Sequence, residues 1–112
     1  MNHISSTTTV FYRLGDPEEE NIYKSGSIPT QNNGRSVHFS EDLDSVHFYL
    51  QNKDSKHGTN NPMDTLYTLS IEYTPSNKLC TVRKMGVCRS LVFLNPDEVK
   101  VKSVHTTKVK HG

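Results

Sequence analysis

At 112 residues the chain has room for one domain, and 32% hydrophobic content without a single Trp limits that domain to a modest core among polar loops. Charged residues make up 22% and nearly cancel, to a formal net charge of +1, which argues against a disordered chain and by itself implies no partner. The placement of the charges says more: residues 1–75 hold 5 Lys+Arg and 10 Asp+Glu, whereas residues 76–112 hold 8 and 2. Either the basic second half draws an acidic partner or phosphate groups, or the two halves attract each other within the fold.

In chain order, the polar stretch "MNHISSTTT" is expected to fray, leaving residues 10–107 as the domain and 108–112 as a basic tail. "TVFYRL", residues 9–14, is rich in β-branched and aromatic residues and predicts a strand. "GDPEEENIYKSG" then predicts a short helix. Asp16 stands at the cap, Pro17 at the first helical position, Glu19 three residues after Asp16 as a capping box requires, and Gly26 past the end. "IPTQNNG" is a loop, and "RSVHF" a short strand running into a helix that Ser40 is placed to cap, with Leu43, Val46, His47 and Leu50 on its apolar face.

Residues 52–64 show no periodicity and form a long loop. "TLYTLSIEY" alternates cleanly, with Tyr67, Leu69, Ile71 and Tyr73 on one face, and predicts a half-buried strand. "KLCTVR" and "VCRSLVFL" are strands around a turn at Gly86. "NPDE" is a turn, and "VKVKSVHTT" a last strand with Val99, Val101, Ser103 and His105 on one face. Strands without intervening helices in the second half predict an α+β fold with mainly antiparallel sheets and two short helices in the N-terminal half.

No apolar run is long enough for a membrane-spanning helix, and no secretory leader is read at the N-terminus. Two cysteines, Cys80 and Cys88, make no disulfide framework; a hairpin would bring them close, but free thiols in a reducing compartment are the simpler expectation. The expected location is therefore the cytoplasm, with export into another cell left open. No metal site is predicted, because none of the six histidines pairs with another ligand at a metal-binding spacing. His47 reads as a core histidine, and His38 with His105 as the one pair a two-histidine nuclease would use.

Four blocks, taken in order, carry a resemblance: "VFYRLGDPEEENIYKSGSI", "GRSVHFSEDLDSVHFYL", "LYTLSIEY" and "LVFLNPDEVKVKSV". Together they cover most of residues 10–104 and look like the successive blocks of a small ADP-ribosyltransferase-like domain. The resemblance implies split sheets that grip NAD between them and an effector, toxin or inhibitor acting on a macromolecular, most simply protein, target. It implies that Arg13 anchors NAD, a task suited to a planar, permanently charged fork. It implies further that the backbone of Leu14 and Gly15 meets the nicotinamide amide, that Phe39 and Ser40 form the strand-to-helix corner, and that Tyr49 walls the nicotinamide ring.

The family also places a Glu just before the late strand, where it stabilises positive charge developing on the ribose. Here Arg89 or Ser90 takes that place, and no acid occurs from Thr81 to Asn95, so Glu98 and Glu72 are the remaining candidates. Two other functions stand beside a transferase. One is a binding module of the same fold that has lost the acid and holds a protein or nucleotide. The other is a nucleic-acid surface along the basic C-terminal half, whose alternating lysines equally suit a solvated sheet edge. Each site residue also has a plain structural reading: Arg13 as a salt-bridged strand residue, Tyr49 as core, Ser40 as a helix cap.

Overall fold

The structure is a computed structural model that describes residues 5–30, 36–47 and 65–108. Strand β1 (Thr7–Gly15) leads through a 3-10 turn (Pro17–Glu19) into helix α1 (Glu20–Lys24). Residues 43–47 are helical. Strands β2 (Thr65–Tyr73), β3 (Lys78–Lys84), β4 (Val87–Phe93) and β5 (Lys100–Lys108) follow, with 3-10 turns at Pro75–Asn77 and Pro96–Glu98. β1, β2 and β5 form one antiparallel sheet with β2 in the middle, and β3 and β4 form a second, so the α+β class with mainly antiparallel strands is the one observed. Among the described helices none is long and apolar enough to cross a membrane.

β2 is central because its pattern fits a strand paired on both edges with one face in the core: Tyr67, Leu69 and Ile71 are fully buried and Tyr73 nearly so. The core continues across both sheets. The rings of Phe11, Tyr73 and Phe93 meet edge-on, with centroids 5.4–5.5 Å apart. Each such buried ring contributes about 1.5–3 kcal/mol relative to an exposed one.

Among the described residues, Phe39 and Ser40 join the two sheets through backbone bonds. Tyr12 and Ser40 exchange backbone hydrogen bonds of 2.7 and 2.9 Å, and Phe39 and Leu91 exchange bonds of 2.9 and 2.8 Å. Residues 39–40 therefore lie between β1 and β4 and pair with both, where the sequence suggested a strand over "RSVHF".

Four expectations are corrected. Ser40 does not cap the following helix, because its hydroxyl donates to the Arg89 carbonyl at 2.8 Å. Asp42 takes the cap: its carboxylate accepts from the Asp44 N–H at 3.0 Å and from the Ser45 hydroxyl at 3.2 Å. The apolar face of that helix is narrower than its spacing suggested, since Ser45 and Val46 are buried while Leu43 and His47 are exposed; His47 is no core histidine.

On β5 the alternation breaks. Ile71 faces Val101 but Ser70 faces Ser103, so Lys102 is an extra residue in a β-bulge. The insertion flips the face, turning Val104 rather than Ser103 and His105 toward the core. Lastly, Cys80 and Cys88 are not free thiols: they form a disulfide across the β3–β4 hairpin, with Cα atoms 5.8 Å apart. Closing so short a loop stabilises by roughly 2–3 kcal/mol.

Candidate functional site

Arg13 sits on the inward face of β1, opposite Tyr67, and is only 7% exposed. A guanidinium there needs a carboxylate, and the turn after β1 supplies one. Pro17 and the acidic run start the 3-10 turn that carries Glu19 back over the strand end. Arg13 Nε donates to Glu19 Oε1 at 2.8 Å, and Nη2 donates to Oε2 at 3.2 Å, the bidentate fork. Nη1 donates to the His38 carbonyl at 3.0 Å. Each of the three nitrogens already holds a protein oxygen, and the guanidinium carbon lies 5.9 Å from the Phe39 ring centroid.

Glu19 is equally occupied. Oε1 also accepts from the Tyr23 hydroxyl at 2.6 Å, and Oε2 from the Asp16 N–H at 3.2 Å. Those four bonds fill a carboxylate's acceptor positions. Burial alone would push the Glu19 carboxyl up, but the hydrogen bond and charge of Arg13 outweigh it and hold the group below the usual carboxylate range. Burial likewise opposes the Arg13 charge, and the bond to Glu19 more than restores it. Burial pushes the Tyr23 phenol well above its ordinary value, so Tyr23 is a donor at every relevant pH.

Gly15 is fixed by the same carboxylate, because a Cβ there would lie 2.6 Å from Glu19 Oε2. A carboxylate held by four bonds does not step aside cheaply. Gly15→Ala is expected to cost about 1–3 kcal/mol in urea unfolding. In a Glu19→Ala background that cost should vanish, a coupling that a double-mutant cycle measures and that strict additivity would contradict.

Leu14 and Phe39 are core, at 5% and 1% exposure, and Ser40 ties the corner to β4. Neither remaining acid meets Arg13. Glu72 lies on β2 five positions beyond the residue opposite Arg13, roughly 17 Å along the strand. It accepts from the Ser6 hydroxyl and lies 3.7 Å from Lys102. Glu98 is exposed on the last 3-10 turn. Tyr49 lies outside the described residues. His105 is on β5, and β2 and β1 stand between it and His38.

Where the resemblance would put the acid stand Arg89 and then Ser90. The Ser90 hydroxyl is 2.8 Å from His38 Nδ1, and the bulged Thr81 hydroxyl donates to the Ser90 carbonyl at 3.1 Å and lies 3.4 Å from the same nitrogen. Burial, then the Arg13 charge behind it, lowers the His38 pKa and favours the neutral ring. At this polar corner residues 38–40 meet residues 89–91. The sequence drew attention to Ser90 only as a missing acid, and to Glu19 only as a cap; both signals sat in the right stretch without naming the partner.

A cavity of about 200 Å³ lies on another part of the surface, lined by Ile28, Pro29, Val37, Phe93 and Pro96. Ligand pockets run from about 300 to 1,000 Å³, so it suits a side chain better than a dinucleotide. Arg13, engaged as described, is not free to anchor a dinucleotide. Among the described residues the basic half meets the acidic half at partly exposed ion pairs, Lys78 with Glu41 and Lys102 with Glu72. Comparison with protein-family models, with curated proteins and with solved structures finds nothing that this chain matches.

Proposed function

We propose that this chain is a protein-binding domain on an ADP-ribosyltransferase-like frame, without NAD turnover. The observation that carries the reading is the Arg13–Glu19 pair: the cation that would anchor a dinucleotide is buried and holds an internal carboxylate instead. The residues at the acid's place, Arg89 or Ser90, support it, since neither a cation nor a neutral hydroxyl bonded to His38 stabilises a developing cation. A protein partner is favoured by the rim of the hairpin. Leu79 and Val82 are each 49% exposed on β3, and Met85 is 92% exposed at its turn, beside exposed Arg83.

The test is to titrate the protein with NAD by calorimetry and follow free nicotinamide in the same sample. Neither heat of binding nor nicotinamide is expected. Nicotinamide release that disappears in Arg13→Lys would overturn the reading.

An NAD-dependent ADP-ribosyltransferase is the second reading. It is favoured by the Tyr12–Ser40 and Phe39–Leu91 pairs, which set the strands of Arg13 and Ser90 on either side of one Phe-Ser corner. It requires Arg13 to give up Glu19 before it takes a substrate.

A further inference from the structure

We infer that the Cys80–Cys88 disulfide is a redox-set latch on the polar corner where the two sheets meet. The hairpin register is the starting point. Cys80 faces Leu91 and Val82 faces Ser90, so Thr81 is an extra residue on β3; Arg83 then faces Cys88, so Arg89 is an extra residue on β4. The disulfide spans this doubly irregular stretch. Such a stretch makes fewer ladder bonds than a regular hairpin, and the covalent bridge is what pins its register.

Both extra residues act on the corner. The Thr81 hydroxyl holds the Ser90 carbonyl and lies beside His38, and the Arg89 carbonyl accepts from the Ser40 hydroxyl. The next residues along β4 complete the join: Ser90 meets the His38 ring, and Leu91 exchanges both backbone bonds with Phe39. Besides the Phe93 ring, which packs on Phe39, the hydrogen bonds from β4 to residues 38–40 described above come from the three positions after Cys88.

Both cysteines are partly exposed, Cys88 against the core, within reach of a small dithiol. One thiolate of the dithiol attacks one sulfur of the pair, breaking the Cys80–Cys88 bond and forming a mixed disulfide. The second dithiol sulfur then displaces the protein sulfur. Two electrons and two protons pass to Cys80 and Cys88 as thiols, and the dithiol leaves as its cyclic disulfide. The bulges lose their clamp, and the corner loosens. On the binding-domain reading this would set partner affinity, but the latch itself does not depend on that reading.

The experiment compares oxidised protein with protein reduced by dithiothreitol, the 2-proton mass change confirming each state. Amide exchange is followed by NMR at Phe39 and Leu91 in the corner and at Leu69 in β2, together with the His38 ring signals. Reduction is expected to raise exchange at Phe39 and Leu91 by about tenfold or more and to shift the His38 signals, while Leu69 keeps its protection. The Cys80→Ser/Cys88→Ser variant should reproduce the reduced pattern.

Unchanged corner exchange after confirmed reduction would overturn the latch. So would loss of protection at Leu69 as well, which makes the bond a staple for the whole domain, or two free thiols in protein treated with oxidant. Nicotinamide release in a protein whose corner responds as expected would remove the binding-domain reading and leave the latch standing.

Discussion

Replacing Glu19 with alanine is expected to cost about 3–5 kcal/mol, because it strands the buried Arg13 guanidinium without its carboxylate. Small domains have roughly 5–15 kcal/mol in total, so the variant should melt roughly 10–20 °C lower by circular dichroism or calorimetry. Glu19→Gln keeps an acceptor for Arg13 and Tyr23 and should lose less. Arg13→Met with Glu19→Leu removes both charges together and should recover much of the loss, as apolar replacement of a buried pair commonly does. A Glu19→Ala protein that melts within about 2 °C of the parent would mean that Arg13 swings into solvent at little cost, and would return it to the list of groups available to a ligand.

The same pair fixes the acid limb of stability. Glu19 titrates lower in the fold than in the unfolded chain, where a Glu ionises near about 4.3. Its contribution is therefore complete above that value and is lost as the pH falls through the folded value. His38 has the same sign nearer neutrality: its depressed folded value favours the neutral ring, so protonation on acidification favours the unfolded chain. Urea midpoints measured from pH 7 down to 3 should fall, and in Glu19→Gln the fall below about pH 5 should flatten.

What the sequence made legible was whatever depends on near neighbours. β2 was read to the residue because its alternation is a local record of one buried face. The Pro17 turn and Gly26, with φ +94°, were read because their backbone geometry follows from the residue type itself, Pro's ring and Gly's missing Cβ. The errors came where a distant partner decides. Ser40 and Asp42 are both good caps, and only the Arg89 carbonyl, brought up by β4, claims the Ser40 hydroxyl. In β5 the lysine spacing looked regular, and nothing local marks Lys102 as the bulge; β2 decides it, by aligning Leu69 with Val104.

Glu19 shows the same limit at the site. Its spacing from Asp16 announced a capping role, and the Asp16 N–H does bond to it. That Arg13 shares the carboxylate follows only once the 3-10 turn folds back on β1. The disulfide was within reach of the sequence, since a hairpin between "KLCTVR" and "VCRSLVFL" was read. Prior odds about compartment decided against a pairing that the hairpin itself favours.

Phe39→Ala carries the other large expected effect and separates two roles for the corner. Phe39 is 1% exposed. Its ring packs against Phe11 and Phe93, at 6.5 and 5.6 Å between centroids, and underlies the Arg13 guanidinium. Its backbone is half of the only pairing between residues 38–40 and β4 among the described strands. Truncation there empties space beside rings held in place by their own core contacts, Phe11 and Phe93 with Tyr73, so collapse around the gap is limited. The expected cost is about 3–5 kcal/mol. Phe39→Leu, which keeps most of the volume, should cost about 1–1.5 kcal/mol. The loss should appear in the unfolding of both sheets together, read as a single transition by tyrosine fluorescence and by far-ultraviolet circular dichroism. A ring that serves mainly as the wall of an open ligand groove would behave otherwise: its truncation would cost under about 1 kcal/mol, because such a surface is already partly hydrated. A small loss would therefore move Phe39 from the core to a binding face and reopen the corner as a dinucleotide site, whereas a large one fixes it as the packing joint on which Arg13, Ser40 and Ser90 are all hung.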